Sequence, residues 1–288
     1  MAYFKRMTQA FFARLPNRGI VRLSGPDART LLQGVVTNDV LTIPPDEARY
    51  AALLTPQGKI IVDFFVSEEP VGFFIDCPRA LAADLVRRLG LYRLRAKVVI
   101  EDASATLGVA AVWGAGLDGR RDPRHPALGR RIIGPPDALQ AAASLANAGD
   151  YEAHRIRCGV AEGGVDFVYG DAFPHEADMD RLHGVDFHKG CYVGQEVVSR
   201  VEHRGLARRR VIAVQFSDAP PAGAQVTADG ANLGVLTSVG HGVGLAMVRV
   251  DRAAEATDQG LAIEADGVAL TLDLAPFRRP SGAAMQAG

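Results

Sequence analysis

After Gly205 the spacing of apolar residues changes, and that change sets what the chain can fold into. Val211–Phe216 alternates in polarity, Pro220-Pro221 and several glycines follow, and the runs Leu233–Thr237, Gly244–Arg249 and Val268–Leu274 are each strand-sized. Short strands broken by Gly and Pro turns predict a small antiparallel barrel or sandwich, with its boundary near Gly205–Arg210. Upstream, strands and helices alternate irregularly, which predicts an α+β arrangement.

Within that first part, Ser24-Gly25-Pro26-Asp27 reads as a helix start, with Ser24 as cap, Pro26 in the first turn and Asp27 in the capping-box position. Leu31, Leu32, Val35 and Val36 then fall on one helical face. Thr55-Pro56-Gln57-Gly58 fits a β-turn between strands at Arg49–Leu54 and Lys59–Val66. Further strands are expected at Val71–Cys77, Lys97–Glu101, Leu107–Trp113 and Ile132–Ile133. Helices are expected at Ala80–Leu89, Pro136–Ala146 and Tyr151–Cys158, the last stopped by Gly159.

Composition narrows the function. Of 288 residues, 48% are apolar and 23% charged, with a formal net charge of -1. This is ordinary for a globular protein and supplies no field that would draw it to nucleic acid or an anionic membrane. Met1–Thr8 lacks the apolar run of a signal peptide, and no apolar stretch is long enough to span a bilayer; the chain is therefore expected in the cytoplasm. Its three cysteines, Cys77, Cys158 and Cys191, form no Cys-x-x-Cys pair and have no zinc-type spacing with the histidines. Nucleophile elbows, His-Glu-x-x-His and Walker loops are absent from the sequence.

The densest chemistry lies in Lys189-Gly190-Cys191-Tyr192-Val193-Gly194-Gln195-Glu196. Two glycines bracket Tyr192 and allow backbone conformations closed to other residues. Cys191 reads either as a small buried hydrophobe or as a thiol activated by His188, Lys189, Arg200, His203 and Arg204. A lone cysteine does not hold an iron–sulfur cluster by itself, because such clusters take four protein ligands. Glu196 and Arg200 form an i, i+4 pair, so Glu196 either supports a helix surface or faces a polar ligand. In the strand Lys59–Val66, Ile61, Asp63 and Phe65 share a face; Asp63 is at a wet edge, or is buried and needs a donor. Tyr151, Arg155 and Arg157 lie on one helix and fit either a solvated face or a stacking platform for a flat ring with an anionic tail. Arg208-Arg209-Arg210 is equally a solvated charge run or a contact for an anionic partner.

The octapeptide 189–196 closely resembles the signature of the YgfZ family, folate-binding relatives of the glycine-cleavage T-protein, an aminomethyltransferase. Gln33-Gly34, Thr37-Asn38-Asp39-Val40, Thr55–Lys59 with Asp63, Val185-Asp186-Phe187 and Leu233–Ser238 resemble the same family, in its order. The resemblance implies a three-domain ring of two interleaved α+β domains and a C-terminal antiparallel β-barrel. The implied divisions are 1–45 and 105–205 for the first domain, 46–104 for the second, 206–280 for the barrel and 281–288 for a disordered tail. It implies tetrahydrofolate in the central channel, with Asn38, Asp63, Tyr151 and Glu196 as contacts. It also implies a role in assembling or maintaining [4Fe-4S] proteins, including radical enzymes that modify tRNA. Cys191 would be the functional thiol and a ligand to a transient, shared cluster, with Lys189, Gly190, Tyr192, Gly194, Gln195 and Glu196 shaping its loop. Partners would be iron–sulfur assembly proteins and client enzymes, not nucleic acid or membrane. A folate-dependent aminomethyltransferase is the alternative.

Overall fold

The computed structural model describes residues 9–115, 118–140, 143–205 and 207–277; the readings of Met1–Thr8 and of the tail 281–288 lie outside them. In chain order the first part runs β1 (Phe11–Arg14), β2 (Arg18–Ser24), α1 (Ala28–Val35), β3 (Arg49–Leu54), β4 (Ile60–Glu69), β5 (Gly72–Pro78), α2 (Ala82–Arg93) and β6 (Val99–Asp102). It continues with β7 (Gly108–Trp113), β8 (Arg120–Arg121), β9 (Arg130–Gly134), β10 (Ser144–Leu145), α3 (Ala148–Arg157) and α4 (Gln195–Arg204). The last part is β11 (Arg209–Gln215), β12 (Gln225–Ala228), β13 (Ala231–Val239), β14 (Val243–Arg249), α5 (Val250–Asp258), β15 (Ile263–Ala265), β16 (Val268–Ala269) and β17 (Thr271–Leu272).

These strands make three sheets. The first has the order β10-β1-β7-β9-β8, the second β3-β4-β5-β2-β6. The chain therefore crosses between the two: β1 pairs with β7, while β2, only a few residues on, pairs with β5 and β6. A division at residue 45 separates β2 and α1 from the sheet they pack on. The third sheet, β16-β15-β12-β13-β14-β11-β17, has as its two ends strands separated in sequence only by Leu270. It thereby curls into a nearly closed antiparallel barrel, and with the two α+β sheets this gives the expected fold class.

The second sheet has two unlike faces. Val21, Leu23, Leu53, Val62, Phe64, Val66 and Ile75 pack under α1 and α2 in one apolar core. The opposite face carries Arg18, Tyr50, Asp63, Phe65 and Asp76, all buried, and looks toward the middle of the molecule. A register shift between Leu53 and Leu54, with Leu54 opposite Ile60 and Leu53 opposite Val62, leaves Ile61 as an extra residue. Such a bulge resets the alternation of faces. That is why Ile61 packs with the α1 and α2 core instead of sharing a face with Asp63 and Phe65.

Two local expectations are corrected. The helix over Pro136–Ala146 does not form: Pro136–Ala138 makes a single 3-10 turn, Leu139 is extended, and Ser144–Leu145 pairs in parallel with β1. At α1 the cap is Asp27 with no side-chain capping bond; its carboxylate accepts from the Lys97 N–H at 2.7 Å, fastening the α2–β6 connection. The helix α5 carries its buried face on alanines, Ala253 and Ala256, a pattern too faint for apolar periodicity to signal.

Candidate functional site

The loop that carries the octapeptide, between α3 and α4, is moored by Thr37 and Asn38. Thr37 donates its hydroxyl to the Gly184 carbonyl at 2.6 Å and accepts from the Ala52 N–H at 2.9 Å. The Asn38 amide donates both hydrogens, to the Tyr50 carbonyl at 2.8 Å and the His183 carbonyl at 2.6 Å, and its oxygen accepts from the Asp39 N–H. Asn38 is thus a clamp between a sheet and the loop, with its polar atoms engaged in backbone contacts. Asp186 continues the mooring by accepting from the His188 and Lys189 N–H groups.

Lys189 points inward. Its Nζ donates to the Val36 carbonyl at 2.6 Å and the Asn38 carbonyl at 2.8 Å, and lies 5.3 Å from the centre of the Tyr192 ring. Burial lowers its pKa to about 8, against the pull of Asp39 and Asp186. Tyr192 is buried with its hydroxyl unpartnered, and burial raises its pKa. Of the two bracketing glycines only Gly194 is left-handed, at φ +83°. A Cβ there would lie 2.6 Å from the Thr55 carbonyl oxygen and 3.1 Å from the Gly58 Cα, so the octapeptide sits directly on the Thr55–Gly58 turn. That turn is closed by the Gly58 N–H to Thr55 carbonyl bond at 2.8 Å.

With Lys189 and Tyr192 directed inward, Cys191 is exposed. Cys77 is buried and Cys158 partly so, and burial pushes both thiols up to about 12. Gln195 opens α4. Glu196 stands on the outer surface, paired with Arg200 at 2.6 Å, and lines neither cavity that holds the other expected ligand contacts.

Asp63 and Tyr151 do come together, in a cavity at the centre of the molecule bordered by Arg18, Phe65, Arg124, Arg131, Arg155 and Glu162. Asp63 is buried and has found its donors within the chain: Tyr50 donates to one oxygen at 2.8 Å and Tyr169 to the other. Phe65 is covered by guanidinium groups, Arg131 at 4.3 Å and Arg124 at 4.6 Å from the ring centre. Those arginines are anchored by buried acids. Asp76 receives Arg18 at 2.7 Å and Arg131 at 2.6 Å, and Asp122 receives Arg124 at 2.8 Å. Burial alone would raise the Asp122 pKa, but Arg124 and Arg131 outweigh it and hold the carboxyl below its ordinary value. Arg155 reaches Asp166 at 2.7 Å, and Asp166 in turn accepts from Thr237 and Ser238 of β13, joining α3 to the barrel.

Sequence reasoning missed this network. The signal was available: Asp76 lies in an apolar strand in the same way as Asp63, and the Arg120–Arg131 segment holds more arginines than acids. The free space among these side chains is ≈ 20 Å³, room for about one water. With the side chains in this arrangement a tetrahydrofolate ring would have to displace Arg124 and Arg131 from Phe65, and Asp63 offers it a carboxylate already held by two hydroxyls. Asn38 borders a different and larger cavity of ≈ 630 Å³ with His183, Asp186, His188, Arg49 and Arg121. Among the described residues one group of side chains suits a metal by proximity, His175, Asp180 and Glu202, with ligand atoms within 4.8 Å of one another. Arg210 already holds both oxygens of Asp180.

Residues 16–116 match the GCVT N-terminal domain family, and residues 208–277 match the CAF17 C-terminal β-barrel domain family. The chain superposes on the glycine cleavage system aminomethyltransferase T of Bartonella henselae. The TM-score is 0.74 at 17% identity, over 92% of this chain and 85% of that one; this likeness shows the fold. The human protein named iron-sulfur cluster assembly factor IBA57, mitochondrial, is 34% identical over 274 residues, covering 82% of this chain and 76% of that protein. The chain belongs to the IBA57 family. The IBA57 homolog of Mycosarcoma maydis is 36% identical over 228 residues, which span 71% of this chain but only 57% of that relative. These relatives name the family more closely than the YgfZ resemblance does. They also overturn the cytoplasmic expectation, because both are named as mitochondrial proteins. Among the described residues no helix is long and apolar enough to cross a membrane.

Proposed function

We propose that this IBA57-family chain acts in the maturation of iron–sulfur proteins, of the [4Fe-4S] type, and that Cys191 is the thiol that engages the cluster. The observation that carries this reading is that the octapeptide turns Lys189 and Tyr192 inward and leaves Cys191 facing solvent. The cluster is cargo. One thiolate supplies one of the four ligands such a cluster takes, so the remaining ligands come from a partner assembly protein or a small thiol. The chain's own contribution is a fixed position for that thiol, since the loop is tied to the Val36–Asn38 segment and seated on the Thr55–Gly58 turn. Client enzymes, including radical enzymes that modify tRNA, belong to this reading.

Tetrahydrofolate takes part in no step of this proposal, because the Asp63–Tyr151 cavity is filled by the chain's own arginines. The same filling counts against an aminomethyltransferase, which needs the substrate carbon beside a free carboxylate. The test is complementation. In cells lacking the protein, Cys191→Ala should fail to restore [4Fe-4S] enzyme activity while accumulating to the wild-type level. Full restoration by that variant would remove the thiol from the proposal.

A further inference from the structure

The arginine run 208–210 divides in the folded chain. Arg210 turns inward to Asp178 and Asp180, and Arg209 is held by Glu176 at 2.7 Å. Arg208 is exposed and has no acid among the ion pairs of the described residues. Arg208 and Arg209, with Arg249 at the end of β14, line a groove of ≈ 320 Å³ whose apolar part is Phe173, Val201 and Ala207. His175, also in the lining, joins the groove to α4 through Glu202 at 3.0 Å.

The charge lies in the groove itself. Among the described residues that line it, Glu176 is the single carboxylate, and its oxygens are taken by Arg209 and by the Phe173 N–H. Arg249 leans on Asp251 at 2.8 Å, an exposed pair of the kind that contributes little. Arg204 follows Val201 by three residues and so stands beside it on α4. It too is exposed and has no acid among the ion pairs of the described residues. Three guanidinium groups in the lining and a fourth at its edge thus stand against one carboxylate that is already engaged.

The groove also continues the site of Cys191. Gly58, in the turn that seats the octapeptide, packs on Val197, and Val197 shares a face of α4 with Val201, four residues on. α4 starts at Gln195, four residues after Cys191, and Val201 lies about 9 Å along its axis from there. A partner of ordinary interface size that reaches the thiol spans the groove as well. We propose that the groove docks an acidic segment with an apolar anchor residue, carried by the protein that brings the remaining cluster ligands to Cys191. The apolar side chain would rest on Phe173 and Val201, and carboxylates on either side of it would meet Arg204 and Arg208. Clusters of arginine are a recurrent device for recognising acidic segments. Naming that partner rests on the cluster-binding role of Cys191; the groove's choice of an acidic segment does not.

The probe is a fluorescein-labelled peptide of glutamates flanking a central leucine–phenylalanine pair, titrated into the full chain and followed by anisotropy. Saturable binding is expected, unchanged in Cys191→Ala and in R93E/R95E, a charge reversal at exposed positions outside the groove. R204E/R208E should bind about tenfold more weakly. R204Q/R208Q should lose affinity in the same direction but less; circular dichroism checks each fold. In cells lacking the protein, R204E/R208E should restore [4Fe-4S] enzyme activity several-fold less well than wild type. Binding that survives R204E/R208E, an equal loss in R93E/R95E, or tighter binding of a single-stranded RNA of equal charge would each overturn the docking site. Full restoration by R204E/R208E where Cys191→Ala fails would overturn its assignment to that partner. Restoration by Cys191→Ala would instead overturn the role of the thiol, with the peptide result still deciding the groove.

Discussion

Gly194 holds a backbone conformation and a space that a side chain would strain. At φ +83°, with the Thr55 oxygen 2.6 Å from where a Cβ would sit, Gly194→Ala should destabilise the protein by about 1–3 kcal/mol, read from urea unfolding. Lys189 shows a second residue-level effect. Its folded pKa is lowered from 10.5 to about 8, so above pH 8 the unfolded chain binds the proton more readily than the folded one. Folding therefore becomes more favourable as pH rises between about 8 and 10.5. Lys189→Met should lack this contribution, so the stability of wild type relative to the variant should climb across that window; a flat difference would contradict the assignment. Cys191 was legible as a site residue only through the octapeptide resemblance. Its exposure was not, because whether a cysteine is buried depends on what packs over it.

At the scale of elements, β4 shows how one extra residue decides a face. The sequence pattern placed Ile61 with Asp63 and Phe65, and the bulge at Ile61 separates them. Asp63 and Phe65 consequently look into the arginine network together with Asp76 of β5. Asp76→Ala would leave Arg18 buried without its ion-pair partner and Arg131 with only Asp122, at 3.6 Å, and removing one partner of a buried pair costs about 3–5 kcal/mol. An unfolding midpoint in denaturant unchanged from wild type would show that the network is not structural. Strands β3, β5 and β7 were legible to within a residue because apolar runs bounded by turn residues define them. The expected helix after Pro136 failed because the parallel partner of Ser144–Leu145 is β1, far away in sequence.

At the scale of the whole molecule, buried charge links the parts. Arg155 joins Asp166, Glu152 and the barrel through Ser238. Arg155→Met should lower stability by a comparable few kcal/mol and loosen the barrel from the first two sheets, seen in calorimetry as a broadened or split transition. A single sharp transition at the wild-type temperature would exclude that coupling. The closed centre gives a binding prediction as well. Titration of tetrahydrofolate into wild type should show no saturable binding that depends on Asp63, and wild type and Asp63→Asn should behave alike by calorimetry. Saturable binding lost in Asp63→Asn would show that Arg124 and Arg131 move off Phe65 to admit the ring.

By itself the sequence determined the elements with strong local patterns, the barrel after Gly205, and the octapeptide whose resemblance pointed to a related family. Each is written in neighbouring residues: apolar period, turn chemistry and a contiguous motif. Only the tertiary structure decided that Asn38 is a clamp, that Glu196 belongs to the surface, that Asp63 is held by two tyrosines, and that Cys191 alone among the cysteines faces solvent. Those facts depend on residues from separate sheets meeting across the centre of the molecule, and no local spacing encodes which arginine reaches which acid there.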